Sequence, residues 1–255
     1  MVKADRQLRL IETLQQRGES VRIAELSQSL GVTPMTIRRD IAELVHQGRV
    51  ASAHGSVRLL GATVTSEMIY HVKLNQDADL KDALARRAIA LIENGMTVFL
   101  DGGTTVGAVA KYLTDRRITV VTNALNVANV LVRSRHVRLI LIGGALRRES
   151  LTFLGPSATH LLQDLRLDLA MMGTEGFDWN RGFEVPDESD AEFKRLAVQS
   201  ATQVVVLAAS TKYGKRYLYR FATWEPIHQL ITSQAGLTEA IPTERQPHVL
   251  VVTGT

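Results

Sequence analysis

The stretch Gly31–Leu44, GVTPMTIRRDIAEL, decides how this chain is read. Gly31 can take the left-handed backbone of a sharp turn. Thr33 suits the cap of a helix that starts on Pro34, where a missing N–H costs nothing. Ile37, Ile41 and Leu44 recur at i, i+4 and i+7 and form one apolar stripe. At about 100° per residue, Met35 and Arg39 point away from that stripe, with Thr36 and Arg38 beside them. This is the pattern of the turn and second helix of a helix-turn-helix. Polar and basic residues at the exposed N-terminal end of a helix fit a DNA major groove, where arginine pairs with guanine or neutralises a phosphate. The competing reading is an ordinary amphipathic helix with a solvated basic face, and the flanking sequence weighs against it.

Arg6–Arg17 carries Leu8, Leu10, Ile11 and Leu14 at helical spacing and is closed by Gly18. Val21–Ile23 reads as a short extended piece, and Ile23–Leu30 as a second helix with Leu26 and Leu30 inward. The recognition helix is expected to run to about Gln47, with Gly48 as its cap. Residues 49–57 read as two short strands around a turn. Three helices and a hairpin make a winged helix. Wings lie against the DNA backbone or minor groove, so Arg49, His54 and Arg58 are candidate phosphate contacts; His54 reads equally as a solvated turn histidine. The expected DNA contacts are therefore Thr33, Met35, Thr36, Arg38, Arg39, Arg49 and His54.

The chain has 255 residues, 45% hydrophobic and 22% charged, and no cysteine. Disulfides, thiolate metal sites and cysteine nucleophiles are excluded. No stretch has the form of a signal peptide or of a membrane span, so a cytoplasmic protein with no membrane partner is expected. The net charge is +4, and residues 1–60 hold nine Lys/Arg against six Asp/Glu, so the basic excess sits with the suspected DNA helix.

Residues 1–58 are expected to form the winged helix, 59–79 a linker and 80–255 a larger unit. In that unit a helix over 80–92 precedes alternating strands and helices. Strands are expected at 97–100, 118–122, 137–142, 167–172, 204–208 and 227–231, and helices at 105–113, 125–132, 157–165 and 189–202. Continuous apolar strands between helices imply a mostly parallel, Rossmann-like α/β sheet covered on both faces. Ligands sit at the carboxyl ends of such strands. The first strand ends in Asp101-Gly102-Gly103-Thr104-Thr105 and opens straight into a helix. Close backbone approach, helix N–H groups and threonine hydroxyls together suit a phosphate; the alternative is a tight turn capped by threonine. The loop is neither a Walker loop nor G-x-G-x-x-G, so no nucleotide cofactor is expected, and no metal spacing occurs. The next strands end in Thr122-Asn123 and Gly143-Gly144, with Arg147 close behind.

The run Leu30-Gly31-Val32-Thr33-x-x-Thr36-Ile37-Arg38-Arg39-Asp40, followed by Gly48 and His54-Gly55, resembles the DeoR family of bacterial sugar-phosphate-responsive transcriptional regulators. The resemblance continues through LDGGTT, VVTN and GGALR and so covers nearly the whole chain. It implies an effector domain similar in fold to ribose-5-phosphate isomerase and glucosamine-6-phosphate deaminase. It implies that Gly102, Gly103, Thr104 and Thr105 hold a phosphate beside Asp101, that Asn123 and Gly144 line the sugar or polyol, and that Lys194 and Lys212 match family lysines, Lys81 more weakly. Either Lys194 or Lys212 would meet an anionic ligand or form a surface salt bridge. The wing departs from the family pattern at Ser52 and Ser56, where arginine and glycine are usual. Ala209 and Ser233 stand where the family has aspartates, which removes two carboxylates from the pocket edge. Asn126–Asn129 resembles the glycerol-3-phosphate branch and Met172–Gly176 the glucitol branch, so the two hints point to different ligands.

Two functions follow. One is a homo-oligomeric repressor, dimer or tetramer, released from operator DNA by a phosphorylated sugar or polyol, with no catalytic residue. The other is a sugar-phosphate isomerase or deaminase carrying a DNA-binding module, for which Asp101, Asp187, Asp190 and Glu192 are the available carboxylates.

Overall fold

The computed structural model describes residues 3–17, 20–46, 50–53, 55–59, 73–74, 77–233, 237 and 241–252. The chain divides into two compact units, residues 1–76 and 77–255.

The N-terminal unit contains α1 (Lys3–Arg17), β1 (Val21–Arg22), α2 (Ile23–Leu30), α3 (Pro34–His46), β2 (Val50–Ala53) and β3 (Ser56–Leu59). Gly31 ends α2 at φ 63°, and its neighbour Val32 donates to the Ser27 carbonyl at 3.1 Å. The Thr36 amide donates to Thr33 Oγ1 at 3.3 Å, so Thr33 caps α3. Leu10, Ile11 and Leu14 of α1, Leu26 of α2 and Ile37, Ile41 and Leu44 of α3 bury into one core. Val50 and Val57 close it from the hairpin, whose three-stranded sheet has the order β1-β3-β2. The expected roles of Arg49, His54 and Gly48, and most of the linker, fall outside the described residues.

The larger unit opens with α4 (Ala78–Ala88) and a 3-10 turn, Ile89–Leu91. Then follow β4 (Thr97–Leu100), α5 (Thr104–Val109), β5 (Thr119–Thr122), α6 (Leu125–Leu131) and β6 (Arg138–Leu141). A hairpin, β7 (Ala145–Arg147) and β8 (Thr152–Leu154), leads to α7 (Pro156–Gln163) and β9 (Leu167–Gly173). Then come β10 (Gly176–Asp178), β11 (Gly182–Val185), α8 (Glu188–Gln199), β12 (Ala201–Leu207), β13 (Tyr219–Ala222), β14 (Gln229–Ser233) and β15 (Val249–Val252). Seven strands form a parallel sheet in the order β15-β14-β12-β9-β4-β5-β6.

Alternate residues of one strand enter opposite cores. Val98 and Leu100 face α4, α5 and α6, whereas Phe99 joins the core of α7 and α8. Leu169 and Met171 part from Ala170 and Met172 in the same way. This two-sided burial is why the strands read as unbroken apolar runs. The strands run outward from β4 to β6, then restart at β9 on the other side of β4. That reversal is the topological switch point, where the carboxyl ends of such a sheet open a crevice.

The antiparallel sheet β10-β11-β13 and the hairpin β7–β8 are absent from the sequence reading. Their strands are three or four residues long and lack the period that marks a strand. Phe177, Phe183, Phe221, Trp179 and Trp224 bury the small sheet against the α8 face.

Candidate functional site

On α3 the apolar side is fixed by Ile37, Ile41 and Leu44, and Met35, Arg38 and Arg39 are exposed. Thr36 is half-buried and its hydroxyl lies 3.0 Å from Thr33 Oγ1, so both threonines also build the cap. Arg58 is exposed on β3. The helix thus offers two guanidinium groups and one thioether from its first two turns.

Asp40 lies on the buried side of the same helix, and the sequence reading gave it no role. Its carboxylate takes Arg6 Nε at 2.5 Å and the second Arg6 nitrogen at 3.1 Å. The Asp40 side chain is 1% exposed and that of Arg6 14%. Hydrogen bonding to Asp40 holds the Arg6 guanidinium above its ordinary value. The pair ties α1 to the recognition helix. A signal was present: Asp40 falls three residues after Ile37, on the apolar stripe, and a carboxylate there requires a partner.

In the larger unit the site is the loop after β4. Gly103 has φ 102° and ψ 171°, a conformation open to glycine alone. Thr104 and Thr105 are half-buried and begin α5, whose first turn no side chain caps. Asn126 Nδ2 donates to the Gly103 carbonyl at 3.2 Å and braces the loop from α6. A Cβ on Gly102 would overlap Thr152 Cγ2, so the hairpin packs directly on the loop.

Asp101 is buried under the loop. It accepts the Gly173 amide at 2.8 Å and the Lys194 ammonium, joining β4, β9 and α8 at the switch point. Lys194 also donates to the Gly173 carbonyl at 3.3 Å and lies 3.9 Å from Asp190. Burial disfavours its charge, but Asp101 and Asp190 outweigh burial and hold the ammonium above its ordinary value. Lys194 is therefore the cation of a buried cluster, whereas the sequence suggested a ligand contact or a surface bridge. Burial pushes the Asp190 carboxyl up to about 6; Lys194 and Arg147 oppose this, and Asp101 and Asp187 add to it. Asp187 caps α8, accepting the Asp190 amide at 2.9 Å.

Asn123 is buried at the end of β5 and donates Nδ2 to the Phe153 carbonyl at 3.1 Å. Its Oδ1 is buried with no partner among the described residues. Gly144 lies where a Cβ would be 2.5 Å from the Leu154 carbonyl, so this glycine permits the hairpin to close on itself. Arg147 in β7 lies 3.8 Å from Glu149 and 4.0 Å from Asp187. Lys212 donates to Glu175 at 2.5 Å beyond β12 and β9, and Lys81 is buried in α4. Asp101, Gly102, Gly103, Thr104, Thr105, Asn123 and Lys194 thus meet at adjoining strand ends, with Asp190, one of the carboxylates available to the enzyme reading, and with Thr152, which the sequence did not suggest.

A helix-turn-helix with a short wing, followed by a doubly wound α/β unit with a glycine–threonine loop at its switch point, is the architecture of a two-part regulator. The chain belongs to the DeoR family. Residues 6–63 match the DeoR-like helix-turn-helix domain and residues 76–234 the DeoR C terminal sensor domain. It is 35% identical to a transcriptional regulator, GlpR, of Haloferax volcanii over 91% of this chain and 90% of that protein. It is 29% identical to the glycerol-3-phosphate regulon repressor of Escherichia coli K12, over 99% and 95%. The lactose phosphotransferase system repressor of Staphylococcus epidermidis is 31% identical over 93% and 94%. Among solved structures, a D-ribose-5-phosphate isomerase in complex with phospho-erythronic acid matches at a TM-score of 0.41 and 17% identity, and the match spans about half of each chain. Among the described residues no helix is long and apolar enough to cross a membrane.

Proposed function

We propose that the protein is a transcriptional repressor of a carbohydrate or polyol operon, and that a phosphorylated sugar or polyol releases it from operator DNA. The observation that carries this reading is the exposed face of α3, where Met35, Arg38 and Arg39 stand on a helix pinned by its own core and by Arg6. Its relatives named as regulators support the same reading. The effector's phosphate binds the loop Gly102–Thr105, with Arg147 as the nearby cation and the sugar or polyol running towards Asn123. The ligand acts by binding one quaternary arrangement better than another, since only differential affinity moves the DNA equilibrium. The protein works as a homo-oligomer, because paired half-sites need two recognition helices.

A second reading has one observation behind it. Asp190 lies 3.9 Å from Lys194, which is buried against Asp101 at the strand ends, and burial pushes its carboxyl up to about 6, towards the range of a general acid or base. That favours an isomerase-like reaction. The experiment is DNA binding at stated salt to the promoter region beside the protein's own gene, with and without a panel of sugar and polyol phosphates. Release of specific binding by one compound supports the switch. Absence of any sequence preference, together with turnover of a sugar phosphate, supports the enzyme.

A further inference from the structure

Met35 is 73% exposed, more than any other large apolar side chain described in the N-terminal unit. It is the second residue of α3, one turn before Arg39 on the same face. Nothing in the fold requires a methionine there: the core is closed by Ile37, Ile41 and Leu44, and the cap by Thr33. Glutamate, lysine or glutamine would favour the helix as well and would be better solvated.

We propose that Met35 reads the 5-methyl group of a thymine in the major groove of the operator. This inference rests on the DNA-binding reading above and specifies one of its contacts. The N-terminal residues of a recognition helix are those that approach base edges. Of the four bases, only thymine presents an apolar group in the major groove. A thioether set against the amino or carbonyl edge of another base strips water from it and returns no hydrogen bond of comparable strength. Against a methyl group it replaces water by apolar contact on both sides. The unbranched methionine adjusts to the methyl position, while the arginines one turn on fix the register through guanine or phosphate. Met35 thereby adds sequence preference at a base that the arginines do not read.

The test is selection from a randomised duplex pool with the full-length wild type and with Met35→Ala. Each thymine of the recovered site is then replaced by deoxyuridine, which removes only the methyl group. For wild type, one thymine per half-site is expected to lose about fourfold in affinity on replacement, the worth of one buried methyl. For Met35→Ala the same replacement is expected to change nothing. The side chain is exposed, so the variant keeps the wild-type circular dichroism and melting temperature. The proposal is overturned if wild type selects a site in which no thymine shows this coupling. It is overturned as well if Met35→Ala changes the oligomeric mass and leaves every deoxyuridine penalty intact, which makes this face an interface between copies. If wild type selects no sequence at all, the DNA-binding reading falls, and the missing consensus distinguishes that failure from the other two.

Discussion

Replacing Arg6 by methionine tests whether the recognition helix is held from within. The change keeps most of the side-chain volume and removes the guanidinium that takes both oxygens of Asp40. Asp40, 1% exposed, then becomes a buried carboxylate without its cation. Removing one member of a buried pair costs about 3–5 kcal/mol. Arg6 itself keeps 14% exposure, so water reaches the gap and the lower figure, about 3 kcal/mol, applies. Among the described residues the core of this unit has eleven buried apolar side chains, and domains of that size draw rarely more than about 3–5 kcal/mol from packing. The loss therefore approaches the whole stability of the unit. Hydrogen exchange of the full chain, read on peptides from residues 34–46, should speed up by about 100-fold. Operator and random duplexes should both be bound more weakly. The double variant Arg6→Met/Asp40→Leu should recover most of the protection, because an apolar pair often replaces a buried ion pair without loss. A cost below about 1 kcal/mol for Arg6→Met would place the pair with ordinary solvated salt bridges and refute the reasoning.

Four further outcomes are expected. Arg39→Ala should cost about 1–3 kcal/mol on a selected operator and much less on random DNA; an equal loss on both makes Arg39 a phosphate contact. Thr104→Ala with Thr105→Ala should keep operator affinity and lose release by the effector, and surviving release reduces the loop to a turn. Gly102→Ala drives a Cβ into Thr152, which is buried and cannot swing away; it should destabilise the larger unit by about 1–3 kcal/mol, and Thr152→Ser, which lacks the clashing methyl, should restore it in urea unfolding. The Asp190 carboxyl has an ordinary value of 3.8 and a folded value of about 6. Between those pH values the unfolded chain gives up this proton first, so stability falls as pH rises. The fall amounts to about 3 kcal/mol. Asp190→Asn should remove it and exceed wild type at pH 7 while matching it near pH 3; an unchanged slope between pH 4 and 6 refutes the assignment.

The N-terminal unit was legible because its signals are local. Gly31, Thr33 and the 37-41-44 stripe each act within one turn of helix, and the structure has all three as read. Six of the seven parallel strands were legible as apolar runs between helices; β15, a half-buried edge strand at Val249–Val252, was not. The hairpin β7–β8 and the sheet β10-β11-β13 were not, because their strands exist through pairing with distant partners; Phe183 pairs with Phe177 and with Ala222. The candidate site was legible in part for the same reason. The glycines and threonines of the loop are consecutive in the chain, directly after a strand, and so show in sequence. The role of Lys194 depends on Asp101, ninety-three positions away, and no spacing along the chain reveals that. Asp40 was overlooked although its place on the apolar stripe was visible, since a charge at a core position marks a partner elsewhere.

The two positions that depart from the family pattern lie together, just beyond β12 and at the end of β14. Ser233 Oγ lies 2.8 Å from Ser210 Oγ and accepts the Ser210 amide at 3.3 Å, so a neutral hydroxyl ties the end of β14 to the turn after β12. Ala209 is buried beside it. An aspartate at either place would put a charge into this buried seam. Three carboxylates at the strand ends are matched, Asp101 by Lys194 and the Gly173 amide, Glu175 by Lys212 and Asp187 by the N-terminus of α8, whereas burial leaves the Asp190 carboxyl pushed up to about 6. A phosphate bound at Gly102–Thr105 as proposed would meet Asp101 already compensated by Lys194. Discrimination among hydroxyl patterns would then fall to neutral acceptors, and among the described residues two buried ones stand by the loop without a partner, Asn123 Oδ1 and Asn126 Oδ1. A ligand reaching either oxygen has to present a donor such as a hydroxyl, because an amide oxygen only accepts.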